Sequence, residues 1–269
     1  MNDTYNVIVI GSGHNGLIAG AYLAKSGQKV LVLERNETYG GGVATKEVAA
    51  PGFLHDIHSN THVFIQANPL IINDELGLKS KFGLTYEYPG AFSTTIFDDQ
   101  TCLTSFVDLD KTCESIAKFS AKDAETYRKF AEKSLAMMPM IFQGLFVPPP
   151  PQGVFWSLLD QSQEGQFLMQ AMQRSMLDLV NQMFENEKVK IHFTKFGCEL
   201  FVSPDERGTG AILATLPGFM HATSPGIPVG GSAALVNSLI RCLESFGADI
   251  RHSSEVKKVT VENGRATGV

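Results

Sequence analysis

The stretch from Val7 to Arg35, VIVIGSGHNGLIAGAYLAKSGQKVLVLER, constrains this chain more than any other part of its sequence. A β-branched apolar run is followed by a glycine cluster, a small-residue segment with helical spacing, and a second apolar run. This order predicts a strand, a tight turn, a helix that stops near Gly27, and a second strand. Two strands joined in this way pair in parallel through a right-handed crossover. The stretch therefore predicts an α/β domain of the Rossmann type.

The glycine cluster has the spacing G-x-G-x-x-G, between the predicted strand and the predicted helix. Glycines at these positions permit the turn, let a pyrophosphate approach the backbone, and let the helix pack on the strand. The free N–H groups at the start of the helix favour binding of a phosphate group. Glu34 ends the second strand. A carboxylate at this position accepts hydrogen bonds from the ribose hydroxyls and repels a 2′-phosphate, which disfavours NADP. We predict a dinucleotide site that includes Gly11, Ser12, Gly13, Asn15, Gly16 and Glu34; the alternative is a glycine-rich turn without a ligand.

This stretch and the loop after it resemble the start of FAD-dependent oxidoreductases of the phytoene desaturase and amine oxidase type. The family's hallmark is an acid–Arg pair, a short spacer and a glycine pair, which Glu34-Arg35 and Gly40-Gly41-Gly42 match. The family usually has Arg or Ala after the pair. Here Gly42 and Val43 extend it, so the register of the pair stays open. FAD lies extended and passes close to this second loop, where side chains would obstruct it. The resemblance therefore favours FAD over NAD.

The resemblance extends over nearly the whole chain to the phytoene-dehydrogenase-related subgroup, through GHNGL, IAKFSAKDAETYRKF and the segment 228–269. It implies a Rossmann-like FAD-binding domain interrupted by an α+β substrate domain, with boundaries at 1–75, 76–222 and 223–269. It also implies that the backbone near Val256 contacts the FAD adenine. Family members continue well beyond the position of Val269, so only their N-terminal half is matched. We therefore expect a fragment or one subunit of a hetero-oligomer, with a second polypeptide completing the flavin site.

The segment PGFLHDIHSNTHVF follows the second glycine loop, and residues 36–62 are predicted to be mostly loop. In the family this segment approaches the flavin ring. The candidates for a catalytic base, or for orienting the substrate, are His55, Asp56, His58 and His62. The alternative is that these side chains only bind loop backbone. Their spacing matches no metal signature, so no metal site is predicted.

The rest of the chain predicts hairpins around Asp98-Asp99-Gln100 and Asn263-Gly264, a helix capped by Ser120, and a helix break at Pro148–Pro151. Residues 137–159 are apolar and rich in Met and Phe. They are interpreted either as a core helix pair around a proline-rich turn or as an entrance for a lipophilic substrate at a membrane surface.

Composition excludes several classes of protein. The 269 residues carry a net charge of −6 with no basic cluster between aromatics, which argues against nucleic-acid binding. The four cysteines form no CxxC pair, which indicates reduced thiols and argues against a dithiol–flavin reductase. No apolar stretch is long enough to span a bilayer. The prediction is a cytoplasmic protein, with peripheral membrane contact as the alternative.

Together these features predict an FAD-dependent oxidoreductase, a desaturase or dehydrogenase. It would transfer hydride from a lipophilic or cyclic small molecule to the flavin. The alternatives are an amine oxidase-type flavoprotein and a non-catalytic FAD-binding interaction protein.

Overall fold

A computed structural model describes residues 4–269; residues 1–3, at the start of the predicted segment 1–75, lie outside the described part. The chain forms two compact units. One joins the residues up to Tyr88 with Gly226–Val269, and the other is Pro89–Pro225. In chain order the elements are β1 (Val7–Ile10), α1 (His14–Lys25), β2 (Val30–Leu33), β3 (Thr45–Glu47), β4 (Leu54–Asp56), a 3-10 helix (Phe64–Ala67), α2 (Pro69–Ile72), β5 (Tyr86–Glu87), β6 (Ala91–Ile96), β7 (Cys102–Phe106), α3 (Leu109–Ala117), α4 (Ala121–Leu145), α5 (Gln152–Leu159), α6 (Gln163–Met172), α7 (Met176–Met183), α8 (Glu187–Glu199), α9 (Gly210–Ala222), β8 (Ile227–Pro228), α10 (Ala233–Ser245), β9 (Asp249–Arg251), β10 (Thr260–Glu262) and β11 (Arg265–Gly268).

The first unit is built on a parallel sheet in the order β1-β2-β9. Val7 to Ile10 pair in register with Val30 to Leu33, which confirms the predicted parallel pair. The middle strand, β2, is the most buried of the three, and its residues Val30 and Val32 are fully buried. Helices α1 and α10 pack together, and Leu17 of α1 shares one apolar core with Leu239 of α10. Burial of these apolar side chains stabilises the unit.

Both boundaries between the two units lie later in the chain than predicted. The changes of unit fall after Tyr88 and after Pro225, beyond the predicted boundaries at 75/76 and 222/223. Leu78 and Leu84 explain the first difference because both are buried in the core of the first unit. In addition, β5 pairs antiparallel with β8, so the segments before and after the inserted unit share a two-stranded sheet.

The second unit contains one antiparallel hairpin, β6-β7, and a set of helices around the packed pair α4 and α9. The Ser120 side chain accepts a hydrogen bond from the Asp123 N–H, which confirms the predicted N-cap. Asp123 does not bond back to Ser120; its carboxylate accepts from the N–H groups of Glu185 and Asn186 instead. The prolines separate α4 from α5, as predicted.

The apolar stretch 137–159 is divided between core and surface. Met137 and Met138 are buried in the second unit, whereas Val147, Val154 and Leu158 are about half exposed, at 55%, 48% and 52%. Among residues 4–269, no helix combines the length and the apolar character needed to cross a membrane.

His192 is fully buried in the second unit, between the β6-β7 hairpin and the aromatic core. Its Nδ1 lies 2.7 Å from the Thr95 hydroxyl and its Nε2 lies 2.7 Å from the Ser105 hydroxyl. Burial, with a smaller contribution from the nearby Lys195 cation, lowers the pKa of His192 to about 3. The imidazole is therefore neutral in the folded protein at physiological pH.

This histidine predicts a specific loss of stability in acid. The unfolded chain binds a proton near the ordinary histidine pKa of about 6.5, whereas folded His192 does not until near pH 3. Stability therefore falls as the pH drops below 6.5. We expect the free energy of unfolding to decrease by about 2 kcal/mol between pH 7 and pH 5 through this residue. Denaturant titrations of wild type and His192→Gln will measure it. The same pH slope in both proteins would contradict the assignment.

Candidate functional site

The first glycine loop joins β1 to α1 by a close turn. The Gly11 N–H donates to the Leu33 carbonyl at 2.7 Å, which ties the loop to the end of β2. A Cβ on Gly16 would lie 3.0 Å from the Gly11 carbonyl oxygen, so the helix approaches the strand closely. No atom lies within 4 Å of the position that a Cβ on Gly13 would occupy, and no side chain of the described residues caps α1 there. The start of α1 therefore offers free N–H groups and room for an anionic group.

The second glycine loop lies directly against the first. The Gly40 N–H donates to the Ser12 carbonyl at 3.0 Å, and Gly13 and Gly40 form a parallel bridge. A Cβ on Gly41 would lie 3.3 Å from the Gly13 Cα. The two glycine segments, which are far apart in the sequence, thus form one continuous backbone surface.

The geometry assigns the register of the glycine pair. Gly40 has φ +110°, and a Cβ there would overlap the Val43 carbonyl oxygen and lie 2.8 Å from Val236 Cγ2. Gly42 has no such restriction, because the nearest atom to its Cβ position is His58 Cδ2 at 3.8 Å. Position 40 therefore requires glycine whereas position 42 has room for a side chain, so Gly40 and Gly41 fit the predicted pair. Val43, also predicted to bind the cofactor, is buried in the core of the first unit.

Glu34 follows β2 directly and bonds Ser12 of the first glycine loop and Asn36, which precedes the second loop. The residue is only 5% exposed. Oε2 accepts the Ser12 N–H at 2.9 Å and the Ser12 hydroxyl at 2.8 Å, while Oε1 accepts the Asn36 N–H at 2.9 Å and the Asn36 amide at 2.8 Å. Burial alone would raise the pKa of Glu34, but these hydrogen bonds outweigh burial and lower the pKa. The carboxylate is thus anionic. Donors from Ser12 and Asn36 already bind both of its oxygens, which were predicted to accept hydrogen bonds from the ribose.

The predicted adenine contact lies next to Glu34. The Ser254 N–H donates to the Glu34 carbonyl at 2.7 Å. Half-buried Val256 lines an adjoining cavity of about 430 Å³ together with Leu33 and Val269. Arg35 and Asn15, also predicted to bind the cofactor, are exposed.

Residues 36–62 are mostly loop, as predicted, and the loop is interrupted by one short hairpin of β3 and β4. Asp56 stabilises this hairpin. It accepts hydrogen bonds from the Thr45 hydroxyl at 2.6 Å and from the Ser232 N–H at 2.8 Å, so it joins the hairpin to the start of α10. Burial opposes ionisation, but these hydrogen bonds and one from the Ser232 hydroxyl lower the pKa of Asp56.

The three candidate histidines lie in different environments. His55 is exposed on β4, and exposed His58 lies beside Gly42. His62 is buried; its Nδ1 lies 3.0 Å from the Tyr86 hydroxyl, and burial lowers its pKa. No local sequence signal identified Tyr86 as this partner, because the pairing of β5 with β8 positions it beside His62. Among residues 4–269, no three His, Cys, Asp or Glu side chains form a group suited to a metal ion.

The glycine assignment predicts a contrast between two single substitutions. We expect Gly40→Ala to destabilise the protein by about 2–4 kcal/mol, the scale of left-handed strain combined with overpacking. Gly42→Ala adds the same methyl group in ordinary van der Waals contact, so we expect unchanged stability. Urea unfolding of the two variants will measure the difference. A loss of stability in Gly42→Ala equal to that in Gly40→Ala would contradict the register.

Comparison with known proteins agrees with this geometry. Residues 9–71 match a family model described as an NAD(P)-binding Rossmann-like domain. Over 98% of its length the chain is 27% identical to a limonene dehydrogenase subunit of Castellaniella defragrans and covers 47% of that protein. It is 28% identical to pyridine nucleotide-disulfide oxidoreductase domain-containing protein 2 of Mus musculus, covering 98% of this chain and 50% of the relative.

A lycopene-forming phytoene desaturase of Pseudescherichia vulneris is 25% identical over 97% of this chain and 51% of its own length. Among solved structures, a triple mutant of putrescine oxidase superposes with a TM-score of 0.61 at 17% identity, covering 95% of this chain and 52% of that structure. The chain thus spans about half the length of these relatives. The α/β fold with a Rossmann-like domain is confirmed. The resemblance of this chain to about half of a phytoene desaturase is confirmed as well.

Proposed function

We propose that this chain is the nucleotide-binding half of an FAD-dependent oxidoreductase, a dehydrogenase or desaturase. The observation that carries the proposal is the joint surface of the two glycine loops, with the Glu34 anion between them. An NAD-only domain does not need the second loop, whereas an extended FAD does. The similarity to a limonene dehydrogenase subunit and a phytoene desaturase supports oxidation of a lipophilic or cyclic small molecule. The bound flavin would accept the hydride.

Each part of the site has a role in this proposal. The open backbone at Gly13 and the start of α1 hold the pyrophosphate. Gly40 and Gly41 let the extended cofactor pass the second loop. Glu34 binds the adenosine ribose, and the cavity at Val256 receives the adenine. Arg35 and Asn15 contribute from the exposed rim of the site.

For contact with flavin or substrate we favour His58 among the four candidates. It is exposed beside the second glycine loop, whereas Asp56 and His62 are engaged by neighbouring side chains. His55, which is also exposed, is the second choice. The likeness to putrescine oxidase supports the fold alone and gives no reason to prefer an amine substrate.

We propose further that the second unit is the substrate domain. The exposed apolar residues just after α4 and in α5, among them Val147, Val154 and Leu158, suit a lipophilic substrate because they offer apolar surface for it to cover. We propose in addition that the same surface makes peripheral contact with a membrane.

FAD binding tests the proposed function directly. We expect the protein, expressed together with the segment that completes it, to bind FAD and become yellow. Glu34→Ala should weaken binding by about 1–3 kcal/mol, the scale for losing hydrogen bonds to a charged group. Glu37→Ala removes an equal charge from the same loop and serves as the control. Flavin fluorescence titration gives the affinities. A complex that stays colourless in excess FAD would refute the proposal.

We also propose that a second segment or chain pairs with the free edge of β1. The Val7 and Gly11 N–H groups donate to the side of β2, at 3.2 and 2.7 Å, so the Ile8 and Ile10 amides point to the opposite edge. In the described part of the chain no strand covers that edge, and Ile10 is 55% exposed. Apolar strands of parallel sheets are normally buried on both faces.

Amide hydrogen exchange tests this strand pairing. Addition of the completing segment should slow exchange at Ile8 and Ile10, because their N–H groups acquire acceptors. Val9, whose amide faces β2, provides the internal control and should change little. If the two components associate while Ile8 and Ile10 exchange as before, the partner binds elsewhere and the pairing is wrong.

A further inference from the structure

The two oxygens of the Glu34 carboxylate have different surroundings. On the Oε2 side, Ser12 is fully buried, and its hydroxyl oxygen also accepts the Gly40 N–H at 3.3 Å. On the Oε1 side, Asn36 is exposed. One oxygen therefore faces the junction of the two glycine loops, while the other is covered by a side chain at the surface.

The hydrogen-bonding capacity of Glu34 is full. A carboxylate offers about four acceptor positions, and the structure fills them with two backbone and two side-chain donors. A ribose hydroxyl can bind Glu34 only if one of these donors leaves. The backbone donors are fixed, because Ser12 lies in the buried turn and the Asn36 carbonyl is held by the Ser253 N–H at 3.0 Å.

Of the two side-chain donors, only one is free to move. The Ser12 hydroxyl is enclosed and bridges the loops, so its rotation would break the junction that forms the site. The Asn36 amide lies at the surface, where it borders a polar cavity of about 360 Å³ shared with Gly41 and Lys46. Solvent in that cavity can hydrogen-bond the amide after it swings away.

We propose that the Asn36 side chain is a removable cover on Oε1 of Glu34, and that a hydroxyl of the adenosine ribose takes its place. Oε2 remains a structural acceptor in the free and the bound protein. This proposal rests on the proposed function, since it concerns how the same nucleotide enters its site. Its consequence is that Asn36, although it bonds the key carboxylate, opposes nucleotide binding.

The test compares nucleotide affinity in three variants of the full chain, with ADP and its 2′-deoxy and 3′-deoxy analogues as probes. We expect Asn36→Ala to bind ADP roughly two- to tenfold more tightly, because the ribose no longer displaces a protein hydrogen bond of ordinary net strength. Ser12→Ala should bind ADP more weakly, since it loosens the loop junction. Asn73→Ala, an exposed asparagine of the first unit outside this cavity, is the matched control. Isothermal titration calorimetry measures all affinities.

The analogues identify the hydroxyl. The gain in Asn36→Ala should persist for one deoxy analogue and disappear for the other, the one that lacks the hydroxyl bound to Oε1. Weaker or unchanged ADP binding in Asn36→Ala would overturn the proposal, because the amide would then contact the nucleotide or stay in place. Failure of the proposed function has a different signature: the unaltered protein would bind neither ADP nor FAD, and both conclusions would fall.

Discussion

The bond between the Ser12 hydroxyl and the Glu34 carboxylate is the interaction on which the site depends. It joins the loop after β1 to the residue that follows β2, beside the backbone bond from Gly40 to Ser12 that brings the two glycine loops together. Because the acceptor is a buried anion and Ser12 is fully enclosed, removing the Ser12 hydroxyl leaves part of that charge unsatisfied at high cost. Loop geometry and cofactor chemistry are therefore coupled through one side chain.

A half-buried carboxylate, Asp56, has a similar effect elsewhere in the first unit. Asp56 joins the β3-β4 hairpin to the start of α10 through Thr45 and Ser232. His55 lies on this hairpin and His58 follows it. The position of the hairpin relative to α10 therefore decides where these two histidines lie. Glu34 and Asp56 both combine burial with several donors, which keeps them charged and their surroundings ordered. Acidic side chains thus organise the loops of this unit as well as offering ligands.

The local features of this fold follow from the sequence. The strand–turn–helix–strand unit, the Ser120 cap, the proline break and the β10-β11 hairpin each rest on short-range rules, and all are present. The predicted glycines also meet in one surface. What the sequence left open depends on contacts between distant residues. The β3-β4 hairpin is anchored by α10, and His62 is paired with Tyr86, and neither partner has a local signature. The hydrogen bond from the Asn36 amide to Glu34 could not be predicted from the sequence either, because it depends on a side-chain rotamer.

The interrupted order of the first unit also has a consequence during synthesis. The second unit is one continuous segment, Pro89–Pro225, and contains its own apolar core. The first unit needs β9 and α10, which leave the ribosome after that segment. The inserted unit can therefore fold while the nucleotide site is still unfinished. The site is unfinished at that stage because Leu17 of α1 still lacks its packing partner, Leu239 of α10. The strand that precedes Glu34 gains its second neighbour only when Arg251 has emerged, so the site is completed last.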